Sequence, residues 1–342
     1  MSDQIIKYKN YFPTVKKNNS ISGKAWLIGN VRLMDNVTIS EATVIRGDGQ
    51  EIVVGRGTIV KNNCTIHVAS DVLGTTIKSN CLIGSNTVIH SCILKNNVIV
   101  GNNCVIMDGA ELGNNSIVSN DSLIAPGKKI PKFSLVKGTP GKIIKILNKD
   151  TFIKYRKRIL MTHKIKRNYL KNSIYKNLDI NNKKVSKNVY IAPDLFSSVE
   201  LFLEDNVSIW FSVKILGVKD KGKLIIGKGT NIQDNSVINT KDKQVIIGNK
   251  VTIGHNVSIL GPVKIEDNAV IGMGSIIEEG TVVRKNGFVG ANSFIPKNTL
   301  IPEDTIFAGS PATLFRKVKN SEKEYFSIGQ KVYEKLAIEY RK

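Results

Sequence analysis

The sequence of 342 residues is poor in acidic and aromatic residues. It has 28 aspartates and glutamates against 50 lysines and arginines, a formal net charge of +22, and only 6% aromatic residues. A large positive charge is typical of proteins that bind nucleic acid or an anionic membrane face. The lysines are dispersed, however, and no module combines basic with aromatic residues, so we predict no nucleic-acid partner. Lys, Asn and Ile are abundant together, which indicates biased codon usage as the source of the charge.

Long apolar runs are also missing from the sequence. No run is long enough to cross a bilayer. The first ten residues lack the apolar core of a signal peptide, and they are not the Arg- and Ser-rich start of an organelle presequence. We therefore predict a cytoplasmic protein without a transmembrane segment.

Cysteine is scarce, and it is confined to the first half of the chain. The four cysteines are Cys64, Cys81, Cys92 and Cys104. Each precedes a large aliphatic residue by two positions, as Cys64 precedes Ile66. This shared offset predicts a repeated packing position for a small apolar side chain rather than a metal cage or a set of disulfides.

The large apolar residues of the sequence recur with a period of six. From Ile247 onward a large apolar residue occurs at every sixth position: Ile253, Ile259, Ile265, Ile271, Ile277, Val283, Val289, Ile295, Ile301 and Phe307. An α-helix does not generate this period, because its apolar stripe repeats near 3.6 residues. Six residues per face suit a triangular parallel β-helix, in which three faces close one coil of about 18 residues.

The two halves of the chain are copies of each other. The first half has the same six-residue step, and Ile45 and Ile215 are equivalent positions that lie 170 residues apart. The phrase Met-Asp-Asn-Val-Thr-Ile at 34–39 also parallels Glu-Asp-Asn-Val-Ser-Ile at 204–209. We predict three regions: a first β-helix with a following helix over residues 1–172, a linker over 173–188, and a second β-helix with a C-terminal helix over 189–342.

A helical pattern follows each copy. The first begins at Asp150 or Thr151 and continues to about Leu170, and the second begins at Ser321 with a carboxylate at Glu322 in its first turn. About 20 residues of helix span roughly 30 Å, the height of six or seven stacked coils. A helix folded back along the first prism returns the chain to its starting end. The second copy is then free to stand beside the first, parallel and in register.

Several sequence motifs, taken in order, resemble those of the γ-class carbonic anhydrases. The resemblance covers nearly the whole chain and occurs once in each copy. The motifs are Val-Ile-Arg-Gly-Asp at 44–48, Thr-Ile-His-Val at 65–68, Thr-Asn-Ile-Gln-Asp at 230–234, Val-Thr-Ile-Gly-His at 251–255, Ile-Gly-Met-Gly-Ser at 271–275 and Ala-Gly-Ser-Pro-Ala at 308–312. The resemblance implies an all-β solenoid of two tandem left-handed parallel β-helices, an exception to the usual right-handed crossover. It also implies a homo- or hetero-oligomer with trimer-like packing of prisms.

The same resemblance implies a Zn²⁺ or Fe²⁺ ion between neighbouring prisms. Three histidines bind the ion, two from one prism and one from the next, and leave an open position for water. The ion lowers the pKa of that water toward 7, and the resulting hydroxide attacks CO₂ to give bicarbonate.

Neither copy carries all three family ligands. In copy one, His67 and His90 match the first and third ligands, and Ser85 stands at the second. In copy two, His255 matches the second ligand. The other two ligand positions of copy two hold Asn239 and Leu260. We predict one composite metal site at the interface between the copies, formed by His67, His90 and His255.

The catalytic residues of the family divide between the copies in the same way. Arg46 and Asp48 match the family in copy one, whereas Gln233 and Asp234 match it in copy two. The unmatched equivalents are Leu216 and Val218 in copy two, and Lys61 and Asn62 in copy one. The resemblance implies that Arg46 pairs with Asp234 across the interface. It also implies that Gln233 orients the water or hydroxide on the metal.

Each of these residues also has a structural interpretation. Arg46 and Asp48 suit a salt bridge at a prism corner, and Gln233 and Asp234 suit turn capping. Cys92 is a poor candidate for a nucleophile because it lies at a packing position. The fourth histidine, His163, falls in the basic helix and is interpreted as structural or solvated.

Three functions therefore remain open. The first is reversible hydration of CO₂ at the composite site. The second is a catalytically inactive scaffold of the same family that serves assembly. The third is an acyl-CoA transferase or thioesterase, because one fold hosts many chemistries. His90 is then the candidate base that deprotonates the acceptor.

Overall fold

The computed structural model describes residues 4–70, 72–164, 183–218 and 221–342. They form an all-β solenoid of about 15 turns, built as two tandem left-handed parallel β-helices with a C-terminal helix, which confirms the predicted fold class. Within these residues, no helix has the length and apolarity needed to cross a bilayer.

Asparagines shape the corners between the faces. Asn63, Asn86 and Asn103 have φ values of 57°, 58° and 53°, in the left-handed region that Asn tolerates better than most residues. Their amides stack from coil to coil, and Asn63 Nδ2 donates to Asn86 Oδ1 at 2.8 Å. The tight turn and the amide ladder together explain why Asn recurs at the spacing of one coil.

Copy one has three faces, and its first two form one twelve-stranded sheet. Strands Trp26–Leu33 and Val44–Val54 run around the corner between them. Face 1 also contains Ile5–Ile6, Thr65–His67, Val88–His90, Val105–Ile106 and Leu123–Ile124. Face 2 also contains Thr14–Val15, Thr75–Ile77, Ile93–Leu94, Glu111–Leu112 and Lys129–Ile130. Face 3 contains Ser20–Ile21, Thr38–Ile39, Ile59–Val60, Leu82–Ile83, Ile99–Val100, Ile117–Val118, Ser134–Lys137 and Lys142–Ile146.

Copy two repeats this arrangement as three separate sheets. Its face 1 contains Phe196–Ser197, Lys214–Gly217, Val237–Lys241, Ser258–Leu260, Ile276–Ile277 and Phe294–Ile295. Its face 2 contains Lys183–Val185, Glu200–Leu203, Lys223–Ile226, Gln244–Ile247, Val263–Ile265, Val282–Val283 and Leu300–Ile301. Its face 3 contains Tyr190–Ile191, Ser208–Ile209, Asn231–Ile232, Thr252–Ile253, Val270–Ile271, Phe288–Val289, Thr305–Gly309 and Ala312–Lys317.

The six-residue period forms the core of each prism. Ile45, Ile66 and Ile89 are paired in register on successive coils of face 1, and each is fully buried. Burial of one such side chain contributes about 1.5–3 kcal/mol to the free energy of unfolding. The four cysteines are buried free thiols, and burial raises the pKa of Cys64 to about 12. They therefore pack as small apolar side chains.

A helix packs on face 3 of each copy. Helix α1, Lys149–Lys164, packs Phe152 against Leu82 and Ile99, and helix α2, Asn320–Tyr340, crosses face 3 of copy two. Each begins one or two residues before its predicted start. The predicted continuation of α1 over residues 165–170 lies outside the described residues. So does most of the predicted linker, whose described end contains the strand Lys183–Val185.

The two prisms stand side by side and parallel. Asn256 Nδ2 donates to Asn86 Oδ1 at 2.9 Å, and these two residues are equivalent positions of the two copies. Further along the same edge, Asn292 Nδ2 donates to Thr139 Oγ1 at 3.3 Å. Face 1 of copy one is buried in this contact, with Val44, Thr65 and Val88 fully covered. The interface therefore lies between face 1 of copy one and one edge of copy two.

Candidate metal centre between the copies

Three of the four histidines meet at this interface. His67 and His90 end neighbouring strands of face 1 and are paired in register, while His255 lies in the turn after Thr252–Ile253. The ring centroids of His67 and His255 are 5.0 Å apart, and those of His90 and His255 are 5.8 Å apart. One nitrogen of each ring lies within 4.8 Å of the other two. The closest pair is His67 Nδ1 and His255 Nε2, at 3.2 Å.

A carboxylate lies behind each ring. Asp48 Oδ1 is 3.0 Å from His67 Nε2, and Asp108 contacts His90 Nδ1. Asp234 Oδ2 is 3.2 Å from His255 Nδ1, a close contact whose geometry is not that of a hydrogen bond. These contacts leave the opposite nitrogen of each ring available at the centre of the cluster. A carboxylate that holds the remote nitrogen is typical of histidines that bind metals.

The protonation state of the cluster also suits a metal. Burial lowers the pKa of His67 to about 3, and the nearby Arg46 guanidinium acts in the same direction. Burial lowers the pKa of His255 to about 4, against the opposing effect of Asp234. Both imidazoles are therefore neutral at pH 7, which is the form that binds a cation. Three imidazoles backed by carboxylates form a donor set that fits Zn²⁺ or Fe²⁺.

Arg46 links the two copies beneath the cluster. Its side chain is fully buried, and Nη2 and Nε donate to Asp234 Oδ2 at 3.0 and 3.2 Å. It also pairs with Asp48, and its guanidinium lies 4.3 Å from the centre of the Trp210 ring. Burial alone would raise the pKa of Asp48, but the charge of Arg46 lowers it to about 2. Both carboxylates therefore stay charged while they orient the histidines.

Gln233 faces the same cavity from copy two. Its Nε2 donates to Asn231 Oδ1 at 3.1 Å. Its Oε1 is buried and has no hydrogen-bond partner among the described residues. Because an unsatisfied buried acceptor costs about 1–3 kcal/mol, this atom calls for a donor in the cavity, such as a water molecule.

The equivalent residues of the opposite copies do not form a second cluster. Asn239, at the position of His67, accepts a hydrogen bond from the backbone of Lys241. Val218, at the position of Asp48, is 49% exposed. Among the described residues only His67, His90 and His255 form a group that can hold a metal ion.

The C-terminal helix closes the site, which the sequence did not predict. Tyr333 Oη of α2 is 3.2 Å from His255 Nε2, and the Tyr340 hydroxyl donates to Asp48 Oδ2 at 2.9 Å. Asp108 was also missed, although its separation of 18 residues from His90 equals one coil and offers a signal. The face of α2 that meets the cluster depends on packing and has no comparable signal in the sequence.

The histidines open into a cavity of about 640 Å³ between α2 and the two prisms. His67, His90 and Gln233 are among the residues that line it. Apolar residues of both copies, among them Met107 and Met273, line its walls. The site is therefore accessible to a small molecule, and its volume lies within the range of ligand pockets in proteins.

Two family models match the repeats of the chain. The model "Bacterial transferase hexapeptide (six repeats)" matches residues 244–279. The model "Hexapeptide repeat of succinyl-transferase" matches residues 74–108 and 262–297. The chain belongs to the hexapeptide-repeat proteins. Both copies of this hexapeptide-repeat protein contribute a match.

Several known proteins match all or part of the hexapeptide-repeat protein. Protein YrdA of Escherichia coli is 35% identical over 68 residues, which are 20% of the chain and 37% of YrdA. The solved structure of a hexapeptide transferase family protein from Anaplasma phagocytophilum is 29% identical, with a TM-score of 0.42. The match covers 46% of the present chain and 92% of the Anaplasma chain. The structure of a proposed acetyltransferase from Desulfovibrio desulfuricans G20 matches with a TM-score of 0.55. This match covers 93% of the present chain and 78% of the Desulfovibrio chain. At 14% identity, that likeness shows the fold alone.

Proposed function

We propose that His67, His90 and His255 bind one Zn²⁺ or Fe²⁺ ion per chain and that the site hydrates CO₂ reversibly, as in the γ-class carbonic anhydrases. The observation that carries this proposal is the convergence of three imidazoles, each with a carboxylate behind it. A bound cation of this kind acts as a Lewis acid and lowers the pKa of coordinated water toward 7.

The protein side chains prepare the site in three ways. Arg46 keeps Asp48 and Asp234 charged, and these carboxylates fix the rings of His67 and His255. Gln233 Oε1 accepts a hydrogen bond from a water molecule in the cavity and so orients its lone pair toward CO₂. The apolar walls keep competing water away from the attacked carbon.

A comparison of two substitutions tests the proposal. His255→Ala removes one ligand, whereas Ser85→Ala changes the equivalent position of copy one, which lies outside the cluster. We expect about one metal ion per chain in the wild type and in Ser85→Ala, and little or none in His255→Ala. The rate of CO₂ hydration should fall by more than about 100-fold in His255→Ala alone. Elemental analysis and stopped-flow assays measure both quantities. Metal retention by His255→Ala would contradict the composite site.

Acyl transfer or thioester hydrolysis is the second candidate function. Both matching family models are named for transferases, and the cavity is far larger than CO₂ requires. Asp108 holds His90 Nδ1 and turns Nε2 toward the cavity, as a general base requires. Turnover of acyl-CoA by the metal-free protein would favour this candidate over the first. The catalytically inactive scaffold stays a prediction.

We also infer trimer-like packing with a third prism supplied by another chain. Face 1 of copy one is buried against copy two, whereas the equivalent face of copy two is only partly covered, with Ile276 40% exposed. A head-to-tail contact of this kind forms a ring when its rotation closes. A native mass equal to one isolated chain would contradict the inference. The cytoplasmic location remains a prediction.

A further inference from the structure

We infer that the cavity beside α2 binds a linear acyl chain of about eight to ten carbons and that the histidine cluster hydrolyses esters of that chain. This inference deepens the proposed function, because it rests on the same cluster and names a larger substrate. The observation behind it is the unequal lining of the two arms of the cavity.

The cavity follows one face of α2. Its lining includes residues of the helix at intervals of three or four, from Tyr325 to Glu339. Fourteen residues of α-helix rise about 21 Å, so the cavity is a groove much longer than it is wide. Tyr333, which contacts His255, lies between the two ends, and the histidine cluster therefore divides the groove into two arms.

The arm toward Tyr325 is apolar. Copy one contributes Met107 and Leu123 to its wall, and copy two contributes Val270 and Phe288. The Phe288 ring stacks on Phe326 of α2 at 4.7 Å between centroids, which closes the far end. Eight residues of helix between Tyr325 and Tyr333 rise about 12 Å, the length of an extended chain of eight to ten carbons. A narrow, apolar channel of this length suits a linear aliphatic chain better than a broad ring system.

The opposite arm contains charged and hydroxyl groups beside the apolar Leu336. Tyr8 donates to Glu339 there, and Lys9 Nζ lies 3.2 Å from Glu339 Oε2. Lys335 also lines this arm. The arrangement fits an acyl chain in the apolar arm, its carbonyl carbon at the histidines, and a polar leaving group at the lysines.

The reaction balances with water alone. The oxygen of a water molecule bonds to the carbonyl carbon, and the acyl–oxygen bond of the ester breaks. The proton lost by the water goes to the leaving oxygen, which becomes the hydroxyl group of the alcohol. The products are a carboxylic acid and an alcohol, and no oxidant or second substrate is required.

Leu123 and its equivalent in copy two, Phe294, provide a matched test. Both are partly exposed and occupy the same register position of face 1, but only Leu123 lines the groove. We expect the metal-free protein to bind dansylaminoundecanoic acid, with displacement by decanoate. Leu123→Asp should weaken this binding at least tenfold, while Phe294→Asp leaves it unchanged. Equal binding by the two variants, or no binding by the wild type, would overturn the groove assignment.

A series of p-nitrophenyl esters supplies the second readout. For the metal-loaded wild type, kcat/KM should rise about two- to fourfold per methylene from acetate to decanoate and then stop rising. The rise should disappear in Leu123→Asp and persist in Phe294→Asp. CO₂ hydration should stay unchanged in Phe294→Asp, because this residue lies outside the groove. Normal CO₂ hydration without any chain-length dependence would overturn the ester activity and leave the proposed function standing. If the protein binds decanoate but neither binds a metal ion nor hydrates CO₂, the proposed function is wrong and the groove assignment stands.

Discussion

Face 1 of copy one and face 1 of copy two have equivalent strands but very different surroundings. In copy one, Val88 and Val105 are at most 1% exposed, and the face ends in two histidines and a buried arginine. In copy two, the position of Val105 holds Ile276, which is 40% exposed, and Leu216 replaces Arg46. Among the described residues, the candidate metal-binding cluster lies where face 1 of copy one meets the other copy.

This difference shows that the site belongs to a contact rather than to a repeat. Asp234 and His255 come from copy two, and they contact Arg46 and His67 of copy one. The copy-one positions equivalent to Asp234 and His255 hold Asn62 and Ser85, which carry no charge. Because a buried charge is costly unless it is paired, charged residues are expected only at the interface that pairs them.

The largest expected effect comes from Arg46→Leu, which gives copy one the residue that copy two has at position 216. Removal of the guanidinium leaves Asp48 and Asp234 buried without their cation, and we expect a loss of about 3–5 kcal/mol in the free energy of unfolding. Urea denaturation measures the change. The double variant Arg46→Leu/Asp234→Asn should recover part of the loss. A loss below about 1 kcal/mol would mean that the interface does not depend on this ion pair.

A smaller effect is expected from pH. The pKa values of His67 and His255, about 3 and about 4, lie below the value near 6.5 of an exposed histidine. The unfolded chain therefore binds more protons than the folded chain below pH 6.5, so stability falls as the pH falls through this window. From pH 7 to pH 5.5 the metal-free protein should lose about 1 kcal/mol per histidine.

The matched control for this prediction is His67→Asn/His255→Ser, in which both positions carry the residues of the opposite copy. Between pH 7 and pH 5.5, the free energy of unfolding of this variant should fall by about 2 kcal/mol less than that of the wild type. Urea denaturation in the presence of a chelator measures the difference. An unchanged pH dependence would show that these two histidines are not held neutral by the fold.

The smallest effect concerns packing on the two equivalent faces. Val105→Thr places a hydroxyl in the contact with copy two, where a Cβ added to Gly274 would lie 2.7 Å from Val105 Cγ2, and should cost about 1–2 kcal/mol. Ile276→Thr, at the equivalent exposed position, should cost about 0.5 kcal/mol or less. Thermal unfolding compares the two. Equal costs would indicate that the face 1 contact adds little to stability.

Much of the fold was predictable because its cause is local. The six-residue step places Ile66 and Ile89 one above the other, and the corner asparagines supply the required backbone conformation. Helix α1 starts at Lys149, against a predicted start at Asp150 or Thr151, because helix ends depend on capping contacts that a pattern does not resolve. The candidate ligands followed from the resemblance, and their role as metal ligands stays a prediction.

The sequence by itself determined two prisms of stacked coils and the complementary sets of polar residues that each copy kept. Only the tertiary structure decided that His255 lies beside His67 and that α2 covers both. It also revealed a groove with one apolar arm and one arm that contains charged and hydroxyl groups. The physical reason is the range of the forces involved. Repeat spacing and corner geometry act within one coil, whereas the approach of residues 188 positions apart depends on how whole prisms and a distant helix bury their remaining surfaces.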